Sequence, residues 1–243
     1  MHSKYKKSNE KSGEKRTNKR TQDEYIKFFN HFATRLIFIV MMPANVKLSK
    51  TELLLVCDEQ FILTKNNIID KVYNLFGSLS EDFKHSIIQH TSHLSIEVLA
   101  VSPKIYRGEQ YKRLPYVLFD YPRYFNKENT LAIRCFFWWG NFFSITLHLC
   151  GKYMQAYAQS VLNAIGEEKS TEWYICINEN QWEHHLNEDN YILADRNNLQ
   201  ALQNNLQERS FFKIAKKLPL TQWDEANDFF ITSYAEIMNM LHV

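Results

Sequence analysis

Two apolar runs, at residues 131–139 and 142–149, are separated only by Gly140 and Asn141, and no other feature limits the fold of this chain as strongly. The runs read LAIRCFFWW and FFSITLHL, rich in the aromatic and β-branched side chains that suit a pleated, buried surface. A Gly-Asn pair between such runs is a hairpin signal, because two-residue hairpin turns need positive φ. An aromatic β-hairpin over 131–149 is therefore predicted.

With a two-residue loop, opposed residues share a face. One face then collects Trp138, Phe143, Phe136, Ile145, Arg134, Leu147, Ala132 and Leu149. The other collects Trp139, Phe142, Phe137, Ser144, Cys135, Thr146, Ile133 and His148. On this second face Ser144, Thr146 and His148 form a polar stripe beside aromatic rings, which is how ligand sites are lined. Arg134 falls on the apolar face and needs a partner, because an unpaired buried guanidinium is costly. Asp120, at the end of the preceding strand, is the candidate. A buried pair that orders the sheet and a guanidinium that holds a ligand carboxylate or phosphate are both open readings. His148 is likewise either a hydrogen-bonded core histidine or a general base.

Helical spacing dominates the amino-terminal third. Tyr25, Phe28, Phe29, Phe32, Leu36 and Ile39 predict a helix over 23–42. Ser49 and Glu52 form a capping-box pattern that opens a short helix to Leu55. Thr64 caps a helix over 65–76 stopped by Gly77, and Ser80 starts another that reaches His90. Strands are expected at 94–101, 116–120 and 173–177, helices at 152–165 and 198–206, and an apolar run at 211–214. In the closing helix Phe230, Tyr234, Ile237, Met238 and Leu241 share a face. Strands mixed with helices, without strict alternation, predict an α+β fold with a helical amino-terminal third, a central antiparallel sheet and a C-terminal helix packed on it.

The net charge of +2 conceals an asymmetry: residues 1–20 hold eight Lys and Arg against two Glu, which leaves 21 basic and 25 acidic residues in the body. Positions 6–24 carry no hydrophobic side chain, so 1–20 is expected to be a disordered basic tail. A single domain over 21–243 follows, mainly helical over 23–92 and sheet-containing over 93–243. Cys57, Cys135, Cys150 and Cys176 form no C-x-x-C pair and read as reduced thiols. The apolar run at 36–42 is far short of the roughly 20 residues of a bilayer span, and the chain reads as cytoplasmic. G-x-G-x-x-G, Walker A, G-x-S-x-G and H-E-x-x-H patterns are absent, so no cofactor is expected. His184 and His185 are adjacent and would face opposite ways on a strand, and His85, His90 and His93 fit a solvated helix, so no metal site is expected either.

Upstream of the hairpin, a segment punctuated by Pro and Gly is rich in Tyr and Arg. Pro103-Lys104-Ile105, Arg107-Gly108-Glu109, Leu114-Pro115-Tyr116, Asp120-Tyr121-Pro122-Arg123 and Phe137-Trp138-Trp139-Gly140-Asn141-Phe142-Phe143-Ser144, continued by Trp182-Glu183-His184-His185, resemble an uncharacterised family of small bacterial proteins. The resemblance covers the larger, carboxy-terminal part of the chain. It implies bacterial origin and one soluble α+β domain, and it implies no activity or site residue.

Two function classes follow. In the first, a non-catalytic binding or accessory protein receives a peptide, a partner protein such as a biosynthetic enzyme, or a small acidic ligand, because Tyr, Trp and Arg dominate binding hot spots. Its candidate residues are Arg107, Tyr111, Asp120, Tyr121, Arg134, Trp139, Phe142, Ser144 and His148, with 104–114 a loop bordering the principal cleft. In the second, an enzyme of unrecognised type gathers His148, Arg134, Asp120 and Tyr121 around one pocket. Nucleic-acid binding through the tail and the Tyr106, Arg107, Tyr111, Lys112, Arg113 cluster is a further alternative. The missing catalytic signatures favour the first class.

Overall fold

A computed structural model describes residues 27, 46–89, 94–167 and 172–241, and close packing divides the chain into two units, 1–59 and 60–243. The basic tail, the helix expected over 23–42 (Lys27 apart), His90 and His93 lie outside the described residues. In the first unit, helix α1 (Lys50–Val56) starts at the expected capping box. The Glu52 N–H donates to Ser49 Oγ at 3.2 Å, and the Ser49 N–H donates to the Glu52 carboxylate at 2.7 Å.

Helix α2 (Glu59–Ile88) runs unbroken for 30 residues, where two helices with a stop at Gly77 were expected. Its apolar stripe, Ile69, Val72, Phe76, Leu79, Phe83 and Ile87, is continuous across the glycine and buried. A mid-helix Gly costs about 1 kcal/mol relative to Ala, less than burial of the flanking Phe76, Leu79 and Phe83 contributes. The strand expected over 94–101 is instead one helical turn, α3 (Ile96–Leu99), which follows Ser95 in extended conformation.

The remaining chain forms β1 (Lys104–Tyr111), β2 (Leu114–Phe125), β3 (Thr130–Trp138), β4 (Phe142–Cys150), α4 (Lys152–Glu167), β5 (Tyr174–Cys176), β6 (Tyr191–Leu193), α5 (Arg196–Asn205), β7 (Phe211–Pro219) and α6 (Ala226–Met240). The seven strands make one antiparallel sheet in the order β1-β2-β3-β4-β7-β5-β6. The segment 104–114, expected as a loop, is thus a strand and its turn. Its Lys112 and Arg113 sit at φ 47° and 66°, the positive angles that a two-residue hairpin turn demands.

One sheet face carries Val117, Phe119, Ile133, Cys135, Phe137, Phe143, Ile145, Leu147, Phe212 and Ile214, all buried in a single cluster with α2, α4 and α6. Phe83 stacks on Tyr234 with centroids 3.7 Å apart, and Phe143 meets Phe230 edge-on. The aromatic hairpin has a different register from the expected one. Trp138 pairs with Phe142, so the loop is the three residues Trp139, Gly140 and Asn141, with Gly140 at φ 71°. A one-residue shift exchanges faces along one whole strand relative to the other. Phe137, Cys135 and Ile133 therefore join the helix-side core, while Trp138, Phe136, Arg134 and Ala132 lie on the same face as Phe142, Ser144, Thr146 and His148.

Candidate functional site

The corrected register places Arg134 on the same sheet face as His148, and pairing with neighbouring strands adds Asp120 of β2 and Lys213 of β7. The segment 177–190, between β5 and β6, roofs this face. Leu186 packs with Cys176, Tyr191, Phe211 and Ala215, and Trp182 lies against Phe125 and His148. What results is a layer of buried polar groups between an aromatic sheet and an irregular roof.

Asp120 and Arg134 face each other across β2 and β3, and their side chains form a two-pronged ion pair, Nε to Oδ1 at 2.7 Å and Nη2 to Oδ2 at 2.8 Å. Burial opposes the guanidinium charge, but the Asp120 carboxylate outweighs it and raises the Arg134 pKa. Arg134 Nη1 lies 3.2 Å from His184 Nε2. A guanidinium only donates, so Nε2 accepts and the His184 proton sits on Nδ1. Burial, reinforced by Arg134 and Lys213, holds His184 well below its ordinary pKa and thus neutral.

Lys213 is 2% exposed, and its ammonium donates to two roof carbonyls, Gln181 O and Glu183 O, each at 2.9 Å. Burial lowers its pKa to about 8, and Arg134 acts in the same direction. Across the β4–β7 pair sits His148, 5% exposed, whose Nε2 has no hydrogen-bond partner. Burial first, then Lys213 and Arg134, push the His148 pKa down to about 3. At the other end of the layer the Tyr111 hydroxyl accepts the N–H of His184 at 2.8 Å and of His185 at 2.9 Å and donates to Glu183 Oε2 at 3.0 Å. Burial raises the Tyr111 pKa and keeps the phenol protonated.

Of the expected site residues, Asp120, Arg134, Ser144 and His148 share this face, and Phe142 and Tyr111 border it through edge contacts with Trp138. Tyr121 and Trp139 turn the other way, into the helix-side cluster, and Arg107 is exposed opposite Val117. The Tyr/Arg cluster is therefore split between a buried Tyr111 contact and solvent rather than gathered on a loop. Residues 104–114 line neither a groove of about 690 Å³ between β7 and α6 nor three smaller ones, because they are hydrogen-bonded into the sheet. Lys213, His184 and Gln181 are site residues that sequence reading did not select. A lone charge inside Phe211-Phe212-Lys213-Ile214-Ala215 was the signal for the first.

Chemically, the layer holds one buried cation, Lys213, one part-buried cation, Arg134, and one buried carboxylate, Asp120. Burial keeps His148 and His184 neutral and Tyr111 and Tyr191 protonated, so the layer presents chiefly hydrogen-bond donors and positive charge. Among the described residues no group of three His, Cys, Asp or Glu side chains is placed to hold a metal ion, and no helix is long and apolar enough to cross a membrane. Compared with known protein families, characterised proteins and solved structures, the chain matches none, so the resemblance of its 103–144 block to small bacterial proteins gains no counterpart.

Proposed function

We propose that this chain is a non-catalytic binding protein that takes a small acidic ligand between the sheet and the 177–190 roof. The observation that carries the reading is Lys213, an ammonium buried against two neutral carbonyls and over the Tyr191 ring, with the Glu183 carboxylate acting on it only at a distance, beside an Arg134 that already claims Asp120. Burying a cation without a counter-ion is costly, and an anion that replaced those carbonyls would meet positive charge in a low-dielectric setting. Tyr111, Phe136, Trp138 and Trp182 supply apolar walls, the usual complement to a few converging polar groups. Trp182, 51% exposed, is the most accessible of these walls. The enzyme alternative is carried by fewer observations, since burial holds His148 neutral beneath Trp182.

Thermal melting with citrate, succinate or inorganic phosphate, at ionic strength matched with chloride, tests the proposal. At a hundredfold excess over Kd, binding to the native state adds about 2.7 kcal/mol, which corresponds to a rise in Tm of roughly 5–10 °C for a chain of this size. The rise is expected with at least one of the three anions and is expected to vanish in Lys213→Met. No shift with any of them, or an undiminished shift in that variant, overturns the reading.

A further inference from the structure

The register of the sheet sets four residues of the roofed face in one row across the strands: Arg123 of β2 opposes Ala132, Ala132 opposes His148, and His148 opposes Lys213. Arg123 reaches this face through the register shift in β2 between Asp120 and Arg123, which turns both residues to the same side. A cation thus stands at each end of the row. With strands about 4.8 Å apart, roughly 14 Å of sheet separates their backbones.

Among the described residues, half-buried Arg123 makes no ion pair. Its Nη2 donates to the Tyr106 hydroxyl at 3.2 Å, and its buried Nε has no hydrogen-bond partner. The carboxylate nearest in sequence, Asp120, is held by both prongs of Arg134. Between the two ends the buried His148 Nε2 is a second nitrogen without a partner. Unsatisfied buried nitrogens are uncommon, because each has given up the hydrogen bond that water supplied. Ala132 contributes only a methyl group to the row, and the Phe125 and Trp182 rings pack edge-on against His148. The row therefore combines a positive charge at each end, a free donor at Arg123 and an apolar middle, which suits an aliphatic chain with an acid at each end.

From this geometry we infer that the acidic ligand is a linear dicarboxylate lying along the row, with one carboxylate at Lys213, the other on Arg123 and its methylene chain over Ala132. The inference rests on the acidic-ligand reading and names the class of acid. A guanidinium presents its donors as a planar fork, so a carboxylate engages Arg123 more firmly than the single phenol it now meets.

Titration calorimetry at matched ionic strength is the test, comparing succinate, glutarate and adipate with the monocarboxylates of equal carbon number, butyrate, pentanoate and hexanoate. At least one dicarboxylate is expected to bind about tenfold or more tightly than its monocarboxylate counterpart. Arg123→Met is expected to erase that advantage and bring the dicarboxylate down to the affinity of the monocarboxylate, whereas Lys213→Met is expected to weaken both. A retained cooperative melt checks that the Arg123 variant folds, and the comparison of acids on the wild-type chain needs no variant. Equal affinities there, or an advantage that persists in Arg123→Met, overturns the dicarboxylate assignment while the acidic-ligand reading still stands on its Lys213 dependence. No binding of any acid overturns both.

Discussion

At Arg134 burial disfavours the charge and Asp120 restores it, so each partner depends on the other. Asp120→Asn leaves a guanidinium that cannot lose its proton, and the expected cost is about 3–5 kcal/mol in urea denaturation. Arg134→Met is expected to cost less, because the stranded carboxylate can take up a proton and the Met can pack. Additive effects in the double-mutant cycle would show that the pair does not couple. His148 sets a pH dependence. Its pKa falls from 6.5 in the unfolded chain to about 3 in the native state, so the native state binds fewer protons between those values and stability rises with pH across that window. The stabilising contribution is complete above pH 6.5 and is lost as pH falls, by roughly 3 kcal/mol at pH 4.5. His184 adds in the same direction. Urea melts at pH 7 and 4.5 should therefore diverge less for His148→Gln than for the wild-type chain, and an unchanged difference would remove His148 as the cause.

Among the elements, the roof and the hairpin turns carry the testable features. Tyr111→Phe deletes the acceptor of two roof amides, and exchange at His184 and His185 should accelerate about tenfold or more while sheet amides stay protected. Unaltered exchange at both amides would mean that the roof is held without the phenol. At the β1–β2 turn Arg113 occupies φ 66°, a conformation that costs a side-chain-bearing residue roughly 1–2 kcal/mol. Arg113→Gly should therefore raise stability by about 0.5–1 kcal/mol after the added chain entropy of Gly is subtracted, read as a higher Tm. A lower Tm would place the turn in another conformation. The existence of the aromatic hairpin was legible in its apolar runs and Gly140, but its register was not. Whether Trp139 ends the strand or enters the loop leaves the sequence pattern unchanged, and the decision is made by Trp139 packing against the helix-side cluster. Pro and Gly in 103–115 masked β1 in the same way, since Gly108 sits mid-strand under the Tyr116 ring, where a Cβ would collide.

Across the whole sheet, protection should follow coverage. Strands β3 and β4 have neighbours on both sides and their residues are nearly all buried, whereas β6 is three residues with one neighbour. Hydrogen exchange followed by mass spectrometry should find β3 and β4 slowest and β6 among the fastest strands, and comparable rates would indicate that the sheet opens only as a unit. Architecture was readable at this scale because the α+β class depends on local periodicity, which the chain displays clearly. Of the site, the Asp120–Arg134 pair was legible because the two residues lie on successive strands, whereas His184 and Lys213 come from a loop without periodicity and a distant strand, and only strand order brings them to that pair.

The roof's fastenings have an evolutionary consequence. Lys213 grips the carbonyl oxygens of Gln181 and Glu183, and Tyr111 accepts from the amide nitrogens of His184 and His185, so these bonds are made to main-chain atoms that any residue but proline would supply. Substitution at position 181 thus removes the side-chain bond from Gln181 to His148 but leaves the Lys213 clasp on its carbonyl, and a lineage could retune what the roof recognises while that clasp stays the same.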